Sequence, residues 1–228
     1  MQCAASPVRS AQTAPHPGLA RVLTRHFTKC WAAPLHAPSL AMFARLDAVQ
    51  SGSSAPLLLD SGCGTGESSL RLARLFPGHL VIGIDQSAAR LRRLAPDGFA
   101  VHGNCILVRA ELGSFWRLFN ARGLKADQHW LLYPNPWPRT LHLKRRWHGH
   151  PVFPSLLATT SRIELRSNWR LYLEEFDLAL AYTRCWRTHI EALPGAEPIS
   201  PFERKYLAAG QALWRLSGER CDQSMPGA

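Results

Sequence analysis

Long apolar segments are missing from this chain of 228 residues, although 46% of its residues are hydrophobic. No apolar run approaches the roughly 20 residues that a membrane-spanning helix needs, and the N-terminal region lacks the uninterrupted apolar stretch of a signal peptide. These absences argue against membrane insertion and secretion. We therefore expect a soluble, cytoplasmic protein with one well-buried core.

Paired cysteines are missing as well. The six cysteines are scattered without a Cys-x-x-Cys pair, which argues against a disulfide framework, an iron–sulfur cluster and a zinc ribbon. His142, His148 and His150 are close in sequence, but no cysteine or carboxylate stands beside them at ligand spacing. We expect reduced thiols and no bound metal.

Acidic residues are scarce. The chain has 16 Asp and Glu residues against 27 Lys and Arg residues, which gives a formal net charge of +11. A field of this sign concentrates polyanions and speeds their encounter with the protein. The composition favours a nucleic-acid partner, with solvated surface charge as the plain alternative, because composition locates no binding site.

What the chain does contain, from residue 57 onwards, is a regular alternation of apolar runs and helical patterns. Strands are predicted at residues 57–60, 80–85, 105–110, 129–134, 162–167, 185–193 and 212–218. Strands separated by helices imply parallel pairing through crossover connections. We predict an α/β fold with a doubly wound, mostly parallel sheet of six or seven strands, with seven preferred.

The rest of the chain is assigned by composition. Residues 1–18 are rich in Ala, Ser, Pro and Gln and predict a mobile arm, while residues 35–49 predict a helix. Residues 1–50 would form this N-terminal arm and helical extension. Residues 51–218 would form the main domain, and residues 219–228 a disordered tail.

A glycine-rich turn follows the first predicted strand. The segment LLLDSGCGTGESS places Gly62, Gly64 and Gly66 at the carboxyl end of that strand, where an open parallel sheet forms its ligand crevice. The spacing is G-x-G-x-G with no lysine behind it, which differs from the loops that bind nucleotide phosphates. The turn therefore predicts close approach of a ligand that lacks phosphates.

Acidic residues end the first three predicted strands: Asp60, Asp85 and Glu111. Carboxylates at these positions can accept hydrogen bonds from ribose hydroxyls, an ammonium group or an adenine amino group. The pattern favours a cofactor with a ribose and an amino-acid head. Plainer roles stay open, because Asp60 could cap a turn and Glu111 could begin a helix at its positive end.

The turn, in the form DSGCGTG, resembles the first motif of the class I S-adenosylmethionine-dependent methyltransferases. The end of the fourth strand narrows the resemblance. There, YPNPWPRTLHLKRR is similar to the signature of the bacterial tRNA (guanine-N7-)-methyltransferases, which reads F-P-D-P-W-P-K, two residues, H, two residues and R-R. The segments RSNWRLYLEEF, ISPFERKYLAAGQ and, faintly, VRSAQ resemble further parts of that family.

The resemblance implies a Rossmann-like fold and a set of site residues. It assigns cofactor binding to the glycine turn, to the three acidic strand ends and to Asn135, which it also places at the catalytic centre. It assigns substrate binding to Arg139, His142, Lys144, Arg145, Arg146, Asn168, Ser200, Phe202 and Glu203. Four positions depart from the family's pattern, which has aspartate at 135 and 168, lysine at 139 and threonine at 200.

The implied reaction is methyl transfer from S-adenosylmethionine to N7 of a guanine in tRNA, in the variable loop. Guanine N7 carries a lone pair and no proton at neutral pH, so the reaction needs positioning more than a general base and tolerates Asn135. The expected partner is tRNA or another RNA, bound by a monomer or weak homodimer without a membrane or a metal. Trp137 or Trp147 could stack on an unstacked base, with core packing as the plain alternative for both. Trp137 is expected to pack beneath the loop, whereas the placement of Trp147 stays open.

Alternatives stay open at this stage. The segment Asn135-Pro136-Trp137 resembles the N-P-P-[YFW] motif of amino-group methyltransferases, with the aromatic residue one position early, so an amino group of a base or a protein side chain could be the acceptor. The asparagines at 135 and 168 also fit a divergent relative that binds S-adenosylmethionine and RNA without turnover. A purely structural role is disfavoured, because a glycine-opened crevice costs backbone entropy unless a ligand fills it.

Overall fold

The computed structural model describes residues 6–193 and 197–221. Its strands, numbered in chain order, are β1 Leu57–Ser61, β2 Leu80–Asp85, β3 Phe99–His102, β4 Cys105–Arg109, β5 Ala126–Leu132, β6 Arg162–Ser167, β7 Trp186–Ala192 and β8 Trp214–Arg220. Its helices are α1 Leu19–Thr28, α2 Ala37–Gln50, α3 Glu67–Leu75, α4 Ala88–Leu91, α5 Leu112–Ala121, α6 Phe153–Ala158, α7 Arg170–Tyr182 and α8 Pro201–Ala208. Two 3₁₀ segments, Thr140–Arg145 and Trp147–Gly149, precede α6.

The strands form one sheet in the order β3-β4-β2-β1-β5-β6-β8-β7. β4, β2, β1, β5 and β6 are parallel, whereas β3 pairs antiparallel with β4, and β8 pairs antiparallel with both β6 and β7. The strand order reverses between β1 and β5, because the chain builds one half of the sheet before it returns to the other. The carboxyl ends of β1 and β5 therefore border the crevice where such sheets bind ligands.

Helices cover both faces of the sheet. On one face α1, α2, α5, α6 and α7 pack around the fully buried Phe115, Trp116 and Phe176. On the other face α3, α4 and α8 pack against Leu58 and Leu107. β1, β2 and β4 begin as continuous apolar runs, because a parallel strand that is covered on both faces has no solvent side. Within the described ranges, no helix combines the length and apolar character needed to cross a bilayer.

The predicted doubly wound, mostly parallel sheet is confirmed, but the described residues form eight strands rather than seven. The additional strand is β3, which forms a hairpin with β4 through Gly103 and Asn104. Gly103 adopts a φ of 60°, and a left-handed residue suits a two-residue hairpin loop. The Gly-Asn pair is the sequence signal for β3.

The helix predicted at residues 35–49 is α2, which begins two residues later and ends one residue later than predicted. α4 begins at a capping residue, since Ser87 Oγ accepts a hydrogen bond from Arg90 N at 3.3 Å.

The N-terminal region is more ordered than predicted. The sequence predicts no helix at α1, which buries Leu19 and Leu23 in the main core. The prediction of a mobile arm is corrected for residues 10–16, which lie against the domain. The Ser10 hydroxyl, for example, donates to the Pro138 carbonyl at 2.6 Å.

The predicted C-terminal tail starts too early. β8 continues through Arg220, which pairs with Trp186 of β7, so residues 219 and 220 belong to the sheet. Residues 1–5 of the predicted arm and residues 222–228 of the predicted tail lie outside the described residues.

Gly83 of β2 is a tightly packed point of the sheet. A Cβ built on Gly83 would lie 2.1 Å from Ser69 Oγ and 2.8 Å from Leu107 Cδ2. Gly83→Ala is therefore expected to lower the free energy of unfolding by about 1–3 kcal/mol, the usual cost of overpacking. Chemical denaturation followed by circular dichroism measures this change. The exposed Gly78, whose added Cβ meets no atom within 4 Å, is the matched control. Equally small effects of Gly83→Ala and Gly78→Ala would contradict the packing.

Candidate active site

The glycine turn after β1 forms one wall of the site. Gly62, Gly64 and Gly66 adopt φ angles of 81°, 61° and 83°, which glycine reaches without steric cost. A Cβ built on Gly62 or Gly64 would meet no atom within 4 Å, whereas one on Gly66 would lie 2.8 Å from Leu107 Cδ1. Gly62 and Gly64 thus present bare backbone to open space, and Gly66 allows α3 to pack against the sheet.

Asp85, at the end of β2, holds two backbone turns together. Its carboxylate is 3% exposed and accepts hydrogen bonds from Gly64 N at 2.9 Å and from Ser87 N at 2.8 Å. Each carboxylate oxygen can accept more than one hydrogen bond. Asp85 could therefore hold the glycine turn and still accept from a ligand.

Asp60, at the end of β1, is a completely buried carboxylate with one unsatisfied oxygen. Its Oδ2 accepts from the hydroxyls of Ser68 at 2.6 Å and Ser69 at 2.7 Å, while Oδ1 has no partner among the described residues. Burial raises the pKa of Asp60 to about 6, against the two serine hydroxyls and with help from the charge of Asp85. A buried acceptor without a donor indicates a place for a cationic or donor group.

Glu111 caps α5. Its two carboxylate oxygens accept from Gly113 N at 2.7 Å and from Ser114 N at 2.6 Å. The helix-start role that the sequence left open is therefore present. Each oxygen keeps acceptor capacity beyond its capping bond, so Glu111 could also accept from a cofactor. That contact stays a prediction.

The strand ends border a cavity of about 130 Å³. It is lined by the glycine turn, by Leu132 at the end of β5, and by Ser200 and Phe202 at the start of α8. Pockets for small ligands usually measure about 300 Å³ or more. A nucleoside cofactor would therefore extend beyond this cavity along the strand ends.

A larger cavity of about 560 Å³ lies on the other half of the sheet. Its lining includes Gln128 near the start of β5, Arg162 at the start of β6, and Arg187 and Glu219 of the antiparallel strands. These positions belong to the edge opposite the glycine turn. We place the site at the smaller cavity, because doubly wound sheets bind ligands at the carboxyl ends of their parallel strands.

The loop after β5, residues 133–139, has a strained backbone. Tyr133 and Trp137 adopt positive φ angles of 53° and 44°, which are uncommon for bulky residues and cluster at functional sites. Asn135, the predicted catalytic residue, is exposed. Its Oδ1 accepts only a long hydrogen bond of 3.4 Å, from Trp137 N, so most of the amide group is free for a ligand.

Three of the predicted substrate-binding cations are exposed beside this loop: Arg139, Lys144 and Arg145. The Arg145 guanidinium lies 4.7 Å from the centre of the Trp137 ring, and the His142 ring meets the same indole edge-on at 5.4 Å. Loss of hydration lowers the pKa of His142, and the charges of Arg145 and Arg139 lower it further. His142 is thus less readily protonated than a free histidine, and its role in substrate binding stays a prediction.

The prediction that Arg146 contacts the RNA substrate is wrong. Arg146 and the nearby His148 are both completely buried against the carboxylate of Glu175, with Arg146 Nη1 at 2.5 Å and His148 Nε2 at 2.9 Å from Oε2. Burial lowers the pKa of His148, although Glu175 opposes this shift. Arg146 is therefore the cation that balances Glu175, and its role is structural support of the loop.

The structure places the two tryptophans of the segment differently. Trp147 packs its ring against Trp116 at 4.8 Å and contacts the main core. Trp137, predicted to pack beneath the loop, is half-buried against Arg145 and His142 and belongs to neither hydrophobic cluster. Trp137 is consequently the better placed ring for stacking on an unstacked base.

The start of α8 carries the last group of predicted substrate residues. Ser200 caps the helix, since its hydroxyl accepts from Glu203 N at 3.1 Å. Glu203 is 1% exposed and accepts from Arg166 Nη1 at 3.0 Å and Ile199 N at 3.1 Å. Direct contact of Glu203 with RNA is therefore corrected to a role in fixing α8 against β6. Ser200 and the 40% exposed Phe202 line the cavity, and their binding roles stay predictions.

Asn168 follows the end of β6, the strand next to β5. Its Nδ2 donates to Gln211 Oε1 at 2.8 Å. Because β1, β5 and β6 are adjacent and parallel, their carboxyl ends bring the glycine turn, Asn135 and Asn168 to one edge of the sheet. The binding role of Asn168 stays a prediction.

Several further residues around the site were not predicted from the sequence. They are Ser68, Ser69 and Gly83 around Asp60, Gln12 and Glu175 beneath the loop, and Leu141, which is 94% exposed among the cations. The serine pair follows the glycine turn at the start of α3, so its position is a usable signal. Gln12 and Glu175 offer no such signal, because 163 residues separate them in the chain.

The chain is similar in sequence to known methyltransferases. The family described as "Putative methyltransferase" matches residues 54–216. The chain is 29% identical over 175 residues to a tRNA (guanine-N(7)-)-methyltransferase of Nocardioides sp., across 73% of this chain and 68% of that protein. It is 25% identical over 195 residues to a protein of the same name from Pseudomonas syringae pv. syringae, across 75% and 73% of the two chains.

Solved structures with a similar fold include RNA methyltransferases. A 16S rRNA (adenine(1408)-N(1))-methyltransferase from Catenulisporales acidiphilia aligns with a TM-score of 0.54 and 18% identity, over 85% of this chain and 96% of that one. A structure described as an antibiotic related methyltransferase aligns with a TM-score of 0.55 and 19% identity, over 84% and 97%. The class I methyltransferase fold and the resemblance to tRNA (guanine-N7-)-methyltransferases are confirmed. Since the family model spans most of the sequence, the chain belongs to the family described as "Putative methyltransferase".

Proposed function

We propose that this methyltransferase moves the methyl group of S-adenosylmethionine to N7 of a guanine in tRNA. The observation that carries the proposal is the strained loop 133–139. It presents Asn135 and Arg139 in exposed positions at the same sheet edge as the glycine turn. Relatives named tRNA (guanine-N(7)-)-methyltransferase support this acceptor, and by resemblance the target guanine lies in the variable loop.

The strand ends fit S-adenosylmethionine, which supplies an electrophilic methyl group on a sulfonium when it is bound. Asp60 Oδ1 and Thr65 Oγ1 are buried without a partner among the described residues, and they suit an ammonium and a carboxylate of an amino-acid head. Gly62 and Gly64 allow close backbone approach, since open space lies where their side chains would be. Asp85 can accept from ribose hydroxyls.

Methyl transfer to guanine N7 requires correct positioning of the guanine more than it requires a general base. N7 has a lone pair in the ring plane and no proton at neutral pH, so no side chain has to remove one. Asn135 can donate to another guanine acceptor, such as O6, and leave N7 free, because its amide carries donors that a carboxylate lacks. Holding the base in line and excluding water would supply most of the acceleration.

The segment after the loop would hold the RNA. Arg139, Lys144 and Arg145 are exposed and can contact phosphates without reading the sequence. The half-buried Trp137 offers an aromatic ring to an unstacked base. The formal charge of +11 would speed the encounter with RNA.

The acceptor can be tested with the purified protein, S-adenosylmethionine labelled in its methyl group, and bulk tRNA. We expect label in tRNA, recovered as 7-methylguanosine after nuclease digestion and mass spectrometry. Asn135→Ala should lower kcat by about tenfold or more, because a misplaced base loses its attack geometry. Thr140→Ala, an exposed change in the same segment, is the control and should leave kcat unchanged.

Product identity separates the alternatives. Label in protein, in DNA or on a base amino group would contradict the guanine N7 acceptor. The amino-group alternative has one observation in its favour, since Asn135 Oδ1 is held only by a 3.4 Å hydrogen bond and could accept from an amine. Intact binding of S-adenosylmethionine and RNA with no transferred label would indicate a divergent member that binds without turnover.

Cofactor affinity should depend on pH through Asp60. Its pKa of about 6 in the folded protein means that the carboxyl holds a proton at pH 5 and is ionised at pH 7. A cofactor ammonium binds the ionised form, so the affinity for S-adenosylmethionine should rise about tenfold from pH 5 to pH 7. The raised pKa of Asp60 also affects folding. The free energy of unfolding should fall as pH rises from about 4 to 6, because the Asp60 carboxyl keeps its proton to a higher pH in the folded state than in the unfolded state.

Isothermal titration calorimetry across this pH range measures the cofactor affinity. Asp60→Asn should remove the rise, while the exposed control Asp97→Asn should keep it. A pH-independent affinity in the unaltered protein, or an unchanged rise in Asp60→Asn, would show that the ammonium does not pair with Asp60.

RNA binding should be sensitive to salt through the exposed cations. Arg139→Gln and Lys144→Gln should each weaken tRNA binding and reduce the slope of log Kd against log salt by about 0.7–0.9, the release expected for one phosphate contact. Fluorescence anisotropy with labelled tRNA measures this slope. Arg74→Gln, which removes an exposed cation on α3, should leave it unchanged. Equal slopes for all three variants would exclude the basic segment as the RNA contact.

A further inference from the structure

Three consecutive carbonyls of the loop that carries Asn135 are held from beneath. Arg146 donates to the Trp137 carbonyl from Nε at 3.2 Å and from Nη2 at 3.1 Å, and to the Arg139 carbonyl at 3.4 Å. The Pro138 carbonyl between them accepts from the Ser10 hydroxyl at 2.6 Å. Prolines lack N–H groups, so a proline-rich loop has few backbone donors and depends on such contacts to its carbonyls.

Arg146 is itself fixed by a closed set of hydrogen bonds. Its Nη1 donates to Glu175 at 2.5 Å, and its Nη2 donates to the side-chain oxygen of Gln12 at 2.9 Å. The side-chain nitrogen of Gln12 donates in turn to Glu175 at 2.6 Å, and His16 N donates to the same carboxylate oxygen at 2.9 Å. Gln12 thus joins the arginine to the carboxylate from the N-terminal segment.

The arrangement is a costly way to stabilise a fold. Arg146 and Glu175 are both completely buried, and an apolar pair of similar volume often stabilises a core as well as a buried ion pair does. What the ion pair adds is direction, because a guanidinium donates in a fixed planar fork. Here that fork reaches Trp137, a bulky residue with a φ of 44° that surrounding contacts must hold in place.

We propose that residues 10–16 and Arg146 position the loop, so that Asn135 is presented to substrate only when the N-terminal segment is docked. The inference rests on the proposed function for its catalytic consequence. Gln12, Ser10 and Arg146 are positioning residues, since they touch the loop or its support.

The experiment uses full-length variants of the segment, because changes at the buried pair could prevent folding. Gln12→Ala and Ser10→Ala each remove one support, and Ser10→Thr restores the hydroxyl donor. Thr13→Ala, an exposed change in the same segment, is the matched control. Each variant is measured for kcat, for KM with tRNA, for the Kd of S-adenosylmethionine, and for amide hydrogen exchange of residues 139–146.

Positioning predicts a specific combination of results. Gln12→Ala and Ser10→Ala should speed amide exchange of residues 139–146 and lower kcat by about tenfold to a hundredfold, the usual effect of a misplaced reacting group. The Kd of S-adenosylmethionine should stay within twofold, because the glycine turn lies on other elements. Ser10→Thr and Thr13→Ala should behave like the unaltered chain.

A support that serves stability alone would give another pattern. Gln12→Ala would then lower the melting temperature, while kcat and the amide exchange of residues 139–146 stayed unchanged at a temperature where the variant is fully folded. That result would overturn the proposal. A third outcome is faster amide exchange of residues 139–146 in the variants, together with no methyl transfer even by the unaltered protein. That outcome would support positioning of the loop and contradict the proposed function.

Discussion

The buried ion pair between Arg146 and Glu175 is the interaction on which the conformation of the loop after β5 depends. Removing two charges from water is costly unless nearly every donor and acceptor is satisfied, and here the remaining donors of the guanidinium find carbonyls and a side-chain amide. Those bonds join α7, the N-terminal segment and the loop after β5. The strained backbone of that loop persists because this network determines its position from three directions.

The glycine turn and Asp60, at the same edge of the sheet, are held in a different way from the loop. The glycine turn is held by a hydrogen bond from Gly64 N to Asp85, and Asp60 is held by two serine hydroxyls from the start of α3. One oxygen of Asp60 keeps no partner among the described residues, so this side retains unused capacity to bind a donor. The loop carbonyls are thus held by donors, whereas the glycine-turn side, which is the cofactor wall under the proposed function, keeps an acceptor without a partner among the described residues.

This difference explains what the sequence could predict. The cofactor wall lies within one strand, turn, helix and strand, so local rules for glycine turns and acidic strand ends locate it. The loop support spans the chain, with Gln12 and Glu175 separated by 163 positions, and no local pattern reveals it. Arg146 was misassigned for the same reason, since a cation in a basic run is indistinguishable from its exposed neighbours until its buried carboxylate partner is known. β3 was missed because a short hairpin strand interrupts the alternation of strands and helices.

Ultraviolet crosslinking of methyl-labelled S-adenosylmethionine to the full chain, followed by peptide mapping, tests most directly whether the cofactor binds at the carboxyl edge of the parallel strands. We expect label in peptides that contain the glycine turn or the loop 133–139, and we expect unlabelled S-adenosylmethionine to reduce that label. Label confined to β6, β7 and β8, around the larger cavity of about 560 Å³, would contradict it.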